Sequence, residues 1–414
     1  MHSLINDAFS FLEGHDLLYV ALIIFLFVIP RMISRIGIPI GLGSFFIGLL
    51  ISNFVTDFNN NDVVTTFATL GISALFLYAG LEVDFLEIKT NHRLLTQHLF
   101  IRSLVILIVI SIISYLISTS IKDSALIALA LLTPSTGFIL DSIHATKLSD
   151  EQKKWIKLKA IAAEILALFL LLVVQSKDIY NTIFSFFVIG LTLVILPFIF
   201  HWGAKKAASK APGSDFSLII LLAVLTGTLT KKLGAYYLVG AFIVGITVNF
   251  YKTRVENKSK KELEQASLFF ASFFMPFYFF LAGLRVNTSM LTINSLLLAL
   301  LFILISLPFK LSSICLQRKL MLNESLKESL PISISLLPTL VFSLVIVEIL
   351  RSSSQVPSSI LGAIIIYTIV MTFLPSILLH FLVKRSDLAE VFTTNTLFNK
   401  QSTFFTERLQ EKDD

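Results

Sequence analysis

Apolar stretches of bilayer-spanning length follow one another along this chain from Leu17 to Val383, with only short polar interruptions. A bilayer core is ~30 Å thick and takes roughly 20 apolar residues to cross as a helix. No water inside it can satisfy a bare backbone, so each stretch has to close its hydrogen bonds within itself. A barrel strand meets the same demand by alternating apolar and polar residues over about ten positions. Residues 101 to 118 (IRSLVILIVISIISYLIS) are instead apolar on every face. The chain is therefore expected to be an all-α polytopic membrane protein. Only 14% of its 414 residues are charged, against about 25% in soluble domains.

Thirteen spans are read, centred on 17–34, 38–54, 64–82, 97–119, 124–144, 155–176, 182–200, 214–230, 233–250, 267–284, 293–316, 329–350 and 359–383. An odd number puts the termini on opposite sides. Counting basic residues in alternate loops gives twenty-one on one side and six on the other, the six being Lys122, Lys177, Lys231, Lys232, Arg285 and Arg351. Cytoplasmic loops are the basic ones, so the N-terminus is expected outside and the C-terminus in the cytoplasm, at an inner or plasma membrane. The same bias accounts for the net charge of +6 without a nucleic acid partner. The single cysteine, Cys315, excludes an internal disulfide framework and a multi-cysteine metal site. Residues 1–16 hold no Lys or Arg, so no leader with a basic head is expected there.

The spans repeat. Laying IGIPIGLGSFFIGLL on LGAYYLVGAFIVGIT puts Gly37, Gly43 and Gly48 on Gly234, Gly240 and Gly245, and AGLEVD (79–84) then meets AGLRVN (282–287). Pro134 and Pro338 are each followed by Ser or Thr and, four positions on, by Phe. Each match lies seven spans apart, and an odd separation reverses direction through the membrane. The halves thus form an inverted repeat, a construction typical of secondary transporters.

Pro134 and Pro338 fall inside spans, where a proline removes one backbone hydrogen bond and clashes with the preceding turn. Both helices are expected to break there, leaving half-helix ends near the midplane, with Thr133, Ser135, Thr136 and Thr339 supplying hydroxyls. Deep ionisable residues are few. Glu164 lies seven residues beyond Lys157, about 10 Å inside at 1.5 Å per residue. A carboxylate so placed has to be paired, hydrated or bound to a cation. Lys310, eight residues before Arg318, reaches about 12 Å from the same face, and an ion pair with Glu164 is expected. Arg102, Asp141 and Glu348 are read closer to span ends, in interfacial or solvated roles. Glu82 and Asp84, at the end of the third span, are expected to cap or to form cytoplasmic pairs.

At this point the sequence resembles the monovalent cation:proton antiporter superfamily, in particular its bacterial sodium/proton and Kef-type potassium efflux branches. FATLGISALFLYAGLEVD resembles the third-helix motif, LLAVLTGTLTKKLGAYYLVGAFIVGI the eighth and ninth helices, and LLTPSTGFILDSI the first broken helix. The resemblance covers almost the whole chain. It implies about thirteen helices with two broken, crossing ones. It also implies a panel that makes a homodimer (1–90 and 214–290), an ion-binding core (91–176 and 291–384), a linking helix (177–213) and a cytoplasmic tail (385–414).

By that similarity Glu164 stands where the family has an ion-binding aspartate, with Thr133, Ser135 and Thr136 around it, and Lys310 stands for a basic residue of the eleventh helix. Two departures stand out: Ala163 fills a position that relatives fill with Asp, Asn or Gln, and Glu replaces Asp. The chain ends about thirty residues after its last span without a Gly-rich nucleotide-binding domain, so no cofactor and no nucleotide gating on this chain are expected. The metal expected is the transported cation alone. The expected function is exchange of Na+ or K+ for protons at Glu164. A cation channel and a transport-inactive regulator are the alternatives. An embedded enzyme is disfavoured, since the spans hold no Asp pair, His-rich cluster or Ser–His arrangement.

Overall fold

The computed structural model describes residues 15–35, 38–52, 61–143, 148–176, 178–208, 214–232, 237–252, 257–353 and 356–385. Gly37 and Gly234 of the repeat, Lys147, Lys177, Lys210 and Arg254 of the charge bias, and the tail after Arg385 lie outside the described residues. In chain order the helices are α1 (His15–Ser34), α2 (Ile40–Ile51), α3 (Asp62–Leu81), a short α4 (Phe85–Thr90), α5 (His92–Ile117), α6 (Ile121–Leu132), α7 (Thr136–Ile143), α8 (Asp150–Gln175) and α9 (Ile179–Ala208). They continue with α10 (Ser214–Lys232), α11 (Tyr237–Lys252), α12 (Asn257–Leu284), α13 (Ile293–Leu322), α14 (Leu326–Ser335), α15 (Leu340–Ser353) and α16 (Ser358–Arg385). Apart from the additional α4, each of the thirteen stretches coincides with one helix or with one of the pairs α6–α7 and α14–α15. Among the described residues seven helices are long and apolar enough to cross a membrane unaided, and α14–α15, bent by 41°, makes an eighth when taken as one span. Helices α2 and α11 are apolar but only 12 and 16 residues long.

The long helices are built inside out relative to those of a protein in water. Helix α5 buries Leu95, His98, Arg102, Ile106, Val109 and Ile113, one stripe at three- and four-residue spacing. Its opposite face exposes Phe100, Leu104, Leu107 and Ile108. Helix α13 likewise buries Ser295, Ala299, Ser306, Lys310, Gln317 and Arg318 and exposes Leu296, Leu297, Leu300, Leu304 and Leu316. Exposed leucine costs nothing in lipid, whereas a polar side chain there lacks a partner, so polar and small residues turn inward.

The described residues fall in two compact units. One runs up to Ile72 and includes Phe270–Asn287; the other comprises Ser73–Phe269 and the chain from Thr288 onward. In the first, α1, α3 and α12 share a core of Leu22, Leu26, Val64, Ala68, Phe277 and Phe280. Here α2 meets α12 backbone to backbone: a Cβ on Gly48 would lie 2.1 Å from the Phe280 carbonyl oxygen, and one on Gly283 would lie 2.0 Å from that of Phe45. In the second unit α3 meets α11 in the same way, with a Cβ on Gly80 falling 2.3 Å from the Phe242 oxygen and one on Gly245 falling 2.2 Å from the Leu77 oxygen.

These four glycines are the ones that the repeat equates, Gly48 with Gly245 and Gly80 with Gly283. Each half contributes one partner to each crossing, so the two crossings are counterparts under the inverted repeat. Gly80→Ala is expected to destabilise the protein by about 1–3 kcal/mol, because a backbone oxygen cannot move aside as a side chain can. Gly190→Ala meets nothing within 4 Å and should be neutral or slightly stabilising through helix propensity. Thermal unfolding in detergent measures both.

The boundary residues behave as their chemistry requires. Asp84 caps α4, its carboxylate accepting from the Leu86 and Glu87 amides at 2.8 and 3.2 Å. Glu82 pairs with Lys157, and Glu87 with Lys154 at 3.3 Å. Helix α8 begins in a reciprocal capping box between Ser149 and Gln152.

Candidate ion-binding site

Both expected breaks occur. Helix α6 stops at Leu132, and α7 starts at Thr136, leaving Thr133, Pro134 and Ser135 outside helical structure; α14 and α15 are parted at residues 336–339. The breaks meet: the Ser135 amide donates to the Pro338 carbonyl at 2.8 Å, and the Val341 amide donates to Ser135 Oγ at 3.4 Å. Thr133, Ser135, Thr136 and Thr339 are all buried.

A helix end inside a membrane leaves carbonyls that no water will satisfy. At the end of α6 each finds a side chain from another helix. Ala130 O accepts from Ser343 of α15 at 2.7 Å. Leu131 O accepts from Tyr367 of α16 at 2.6 Å and from Lys310 of α13 at 3.3 Å. Leu132 O accepts from the Arg102 guanidinium of α5. Lys310 also donates to Leu337 O, in the second break, at 2.7 Å. A helix C-terminus carries roughly half a negative charge, so one ammonium spans two such ends, those of α6 and α14.

This geometry corrects the expected ion pair. Lys310 and Glu164 are both buried, yet they form no salt bridge; the ammonium is already held by the two carbonyls that the breaks set free. Glu164 sits on a buried face of α8 with Ala160, Ala163, Ala167 and Leu168, of which the three alanines are small enough to let neighbouring helices come close. The Thr136 side chain lies near the carboxyl, but no hydrogen bond joins Thr136 Oγ1 to Glu164 Oε2. Glu164 Oε2, Thr136 Oγ1 and Thr339 Oγ1 are buried oxygens without a partner. Buried polar atoms are nearly always paired. Three oxygens left open beside a crossing of broken helices are donors of the kind that a hard monovalent cation takes. Ala163, buried next to Glu164, adds no ligand.

Arg102, read as interfacial, is buried at the crossing. The spacing placed the start of its span at residue 97, whereas α5 begins at His92, which sinks Arg102 by more than a turn. Its four-residue spacing from His98 and Ile106 was the available signal. Tyr367 and Ser343 carried none, since nothing local distinguishes a capping hydroxyl from an ordinary one in a membrane helix. Glu348 pairs with Arg351 at 3.3 Å and is partly exposed, in keeping with its expected place at a span end. The Asp141 side chain lies outside the described residues.

Residues 21–385 match the family described as sodium/hydrogen exchanger, transmembrane. The chain belongs to this sodium/hydrogen exchanger family. Its relatives are secondary transporters, not enzymes. A putative Na+/H+ antiporter of Bacillus subtilis is 25% identical over 68% of this chain, and the match spans half of that relative's length. The probable Na+/H+ antiporter 3 of Methanocaldococcus jannaschii is 21% identical over 91% of the chain and 99% of its own length.

Among solved structures, a sodium proton antiporter of Methanocaldococcus jannaschii at pH 8 superposes with a TM-score of 0.68, covering 89% of this chain and 97% of that one at 14% identity. An electron-microscopy map of that antiporter gives a TM-score of 0.67 over 87% and 94% of the two chains, at 16% identity. The exchanger fold, with its two broken helices, is thus the fold of this chain. It is a multi-pass membrane protein.

Proposed function

We propose that this exchanger-family protein moves a monovalent cation against protons, and that Glu164 carries both in turn. The observation that carries this reading is the buried Glu164 carboxyl with one oxygen unpartnered beside the crossed breaks. A proton and a cation cannot occupy that carboxyl together, so each drives the other off, and this competition couples the two fluxes. Thr136 and Thr339 supply further open oxygens, while Thr133 and Ser135 shape the crossing around them. With a single buried carboxylate in the site, exchange is one for one. Na+ is favoured over K+ by the names of the relatives.

The panel (1–90 and 214–290) makes a homodimer, and the core (91–176 and 291–384) carries the site, as the family resemblance implies. The N-terminus is external and the C-terminus cytoplasmic. A reporter fused after Lys232 should read external and one after Lys319 cytoplasmic; the reverse result at either overturns the orientation.

The transport test is a pH dye inside vesicles that hold the purified protein, with Na+, K+ and Li+ added in turn. Alkalinisation or acidification that requires the cation is the expected result. Current that follows the cation gradient without moving protons would assign a channel instead.

A further inference from the structure

A second polar cluster lies between α5, α8 and α13, apart from the crossing. Gln317 is its hub. Its amide nitrogen donates to Leu94 O at 3.0 Å, and its oxygen accepts from Lys159 Nζ at 2.9 Å and faces His98 Nδ1 at 3.2 Å. A carbonyl on one side and an ammonium on the other fix which way the amide points. Arg318 is bound through Nε and Nη2 to both oxygens of Glu324, at 2.6 and 2.5 Å. Lys159, Gln317 and Arg318 are all nearly fully buried.

The charges of this cluster do not balance. Glu324 is hydrogen-bonded to Arg318, whereas Lys159 is hydrogen-bonded only to a neutral amide, which leaves two of its three N–H donors without a bonded acceptor among the described residues. Arg318 Nη1 is buried without a partner. Burying an incompletely compensated cation costs several kcal/mol, so an anionic acceptor between Lys159 and Arg318 Nη1 would be stabilising. A pocket lined by Lys159, Gln317, Arg318, Leu94, Trp155 and Met321 has room for the centre of one water-sized group. It lies near the start of α5 and the end of α13, hence at the membrane boundary. Lys319, next to Arg318, is exposed, as are Leu316 and Leu320 further along α13. Basic pockets between transmembrane helices at such a boundary hold lipid headgroups.

We propose that this pocket binds a phosphate group, one oxygen entering between Lys159 and Arg318 Nη1, and that the phosphate belongs to an anionic phospholipid whose acyl chain follows the leucines of α13. A free phosphate ion offers the same oxygen. The test compares melting temperatures of the purified protein in nanodiscs of phosphatidylcholine alone, with phosphatidylglycerol added, with sodium phosphate added, and with sodium chloride at equal ionic strength.

Phosphatidylglycerol should raise the melting temperature by about 3 °C or more, and Lys159→Gln should lose at least half of that gain. Gln317→Glu supplies the missing negative charge from within. It gives up the donor to Leu94 O, so its own melting temperature in phosphatidylcholine is the reference, and against that reference it should gain nothing from phosphatidylglycerol, a result that remains decisive if the Lys159 variant fails to fold. An equal gain from sodium phosphate in phosphatidylcholine alone assigns the pocket to the free ion. No gain from either source, an equal gain from chloride, or a gain that survives in Gln317→Glu overturns the proposal.

Discussion

Glu164→Gln is expected to abolish cation-dependent proton movement in vesicles while leaving the protein folded. The amide keeps the shape of the carboxyl and can still accept from a hydroxyl, but it can neither release a proton nor neutralise a cation. Because the amide brings no charge into a buried place, the melting temperature should hold or rise. Glu164→Asp retains the chemistry and pulls the carboxylate back by one methylene, so activity should fall without vanishing. Exchange by the Gln variant at the parent rate would remove Glu164 from the mechanism. If the Gln variant is inactive and also unfolded, the loss says nothing about transport, so the melting curve belongs to the same experiment.

Lys310→Ala carries the second large effect, and here it falls on stability first. The substitution leaves Leu337 O without its donor, takes one of two donors from Leu131 O, and empties the space of a four-carbon stem. Together these should cost about 2–4 kcal/mol. Release from the cost of burying a cation offsets part of this at most, because the ammonium is matched by the partial charges of two helix ends. Tyr367→Phe removes one of the two donors to Leu131 O and keeps the ring, so about 1 kcal/mol is expected. Lys310→Arg keeps the charge and the donors and should fall between the parent and Ala. Thermal unfolding ranks the series. An unchanged melting temperature in Lys310→Ala would show that the two carbonyls do not depend on the ammonium.

Much of the fold was legible because the bilayer reduces a helix to a length and an apolar run, and both are written in the chain. The thirteen stretches, the breaks at Pro134 and Pro338 and the glycines equated by the repeat all follow from rules that act within a few residues. The site was legible only in part. Glu164 is conspicuous because a carboxyl in an apolar run is rare, and Thr136 follows from its place after a break. The partner of Lys310 was misread because its depth matched that of Glu164, whereas depth alone does not say which acceptors the helix packing brings within reach.

Proline shows where local rules stop. Pro30, Pro197, Pro276, Pro308, Pro331 and Pro375 also lie within helices, and none of them splits its helix as Pro134 does. A proline frees one carbonyl and disturbs the next, but a break exposes several more, and in a membrane each needs a donor. At Pro134 those donors come from four other helices: Arg102, Lys310, Ser343 and Tyr367. The sequence by itself determined that this chain lives in a membrane as a bundle of helices with an internal inverted repeat and a rare buried carboxylate. Only the tertiary structure decided which prolines break a helix and which cations hold the broken ends, because those outcomes depend on donors far away in the chain that packing alone brings to the freed carbonyls.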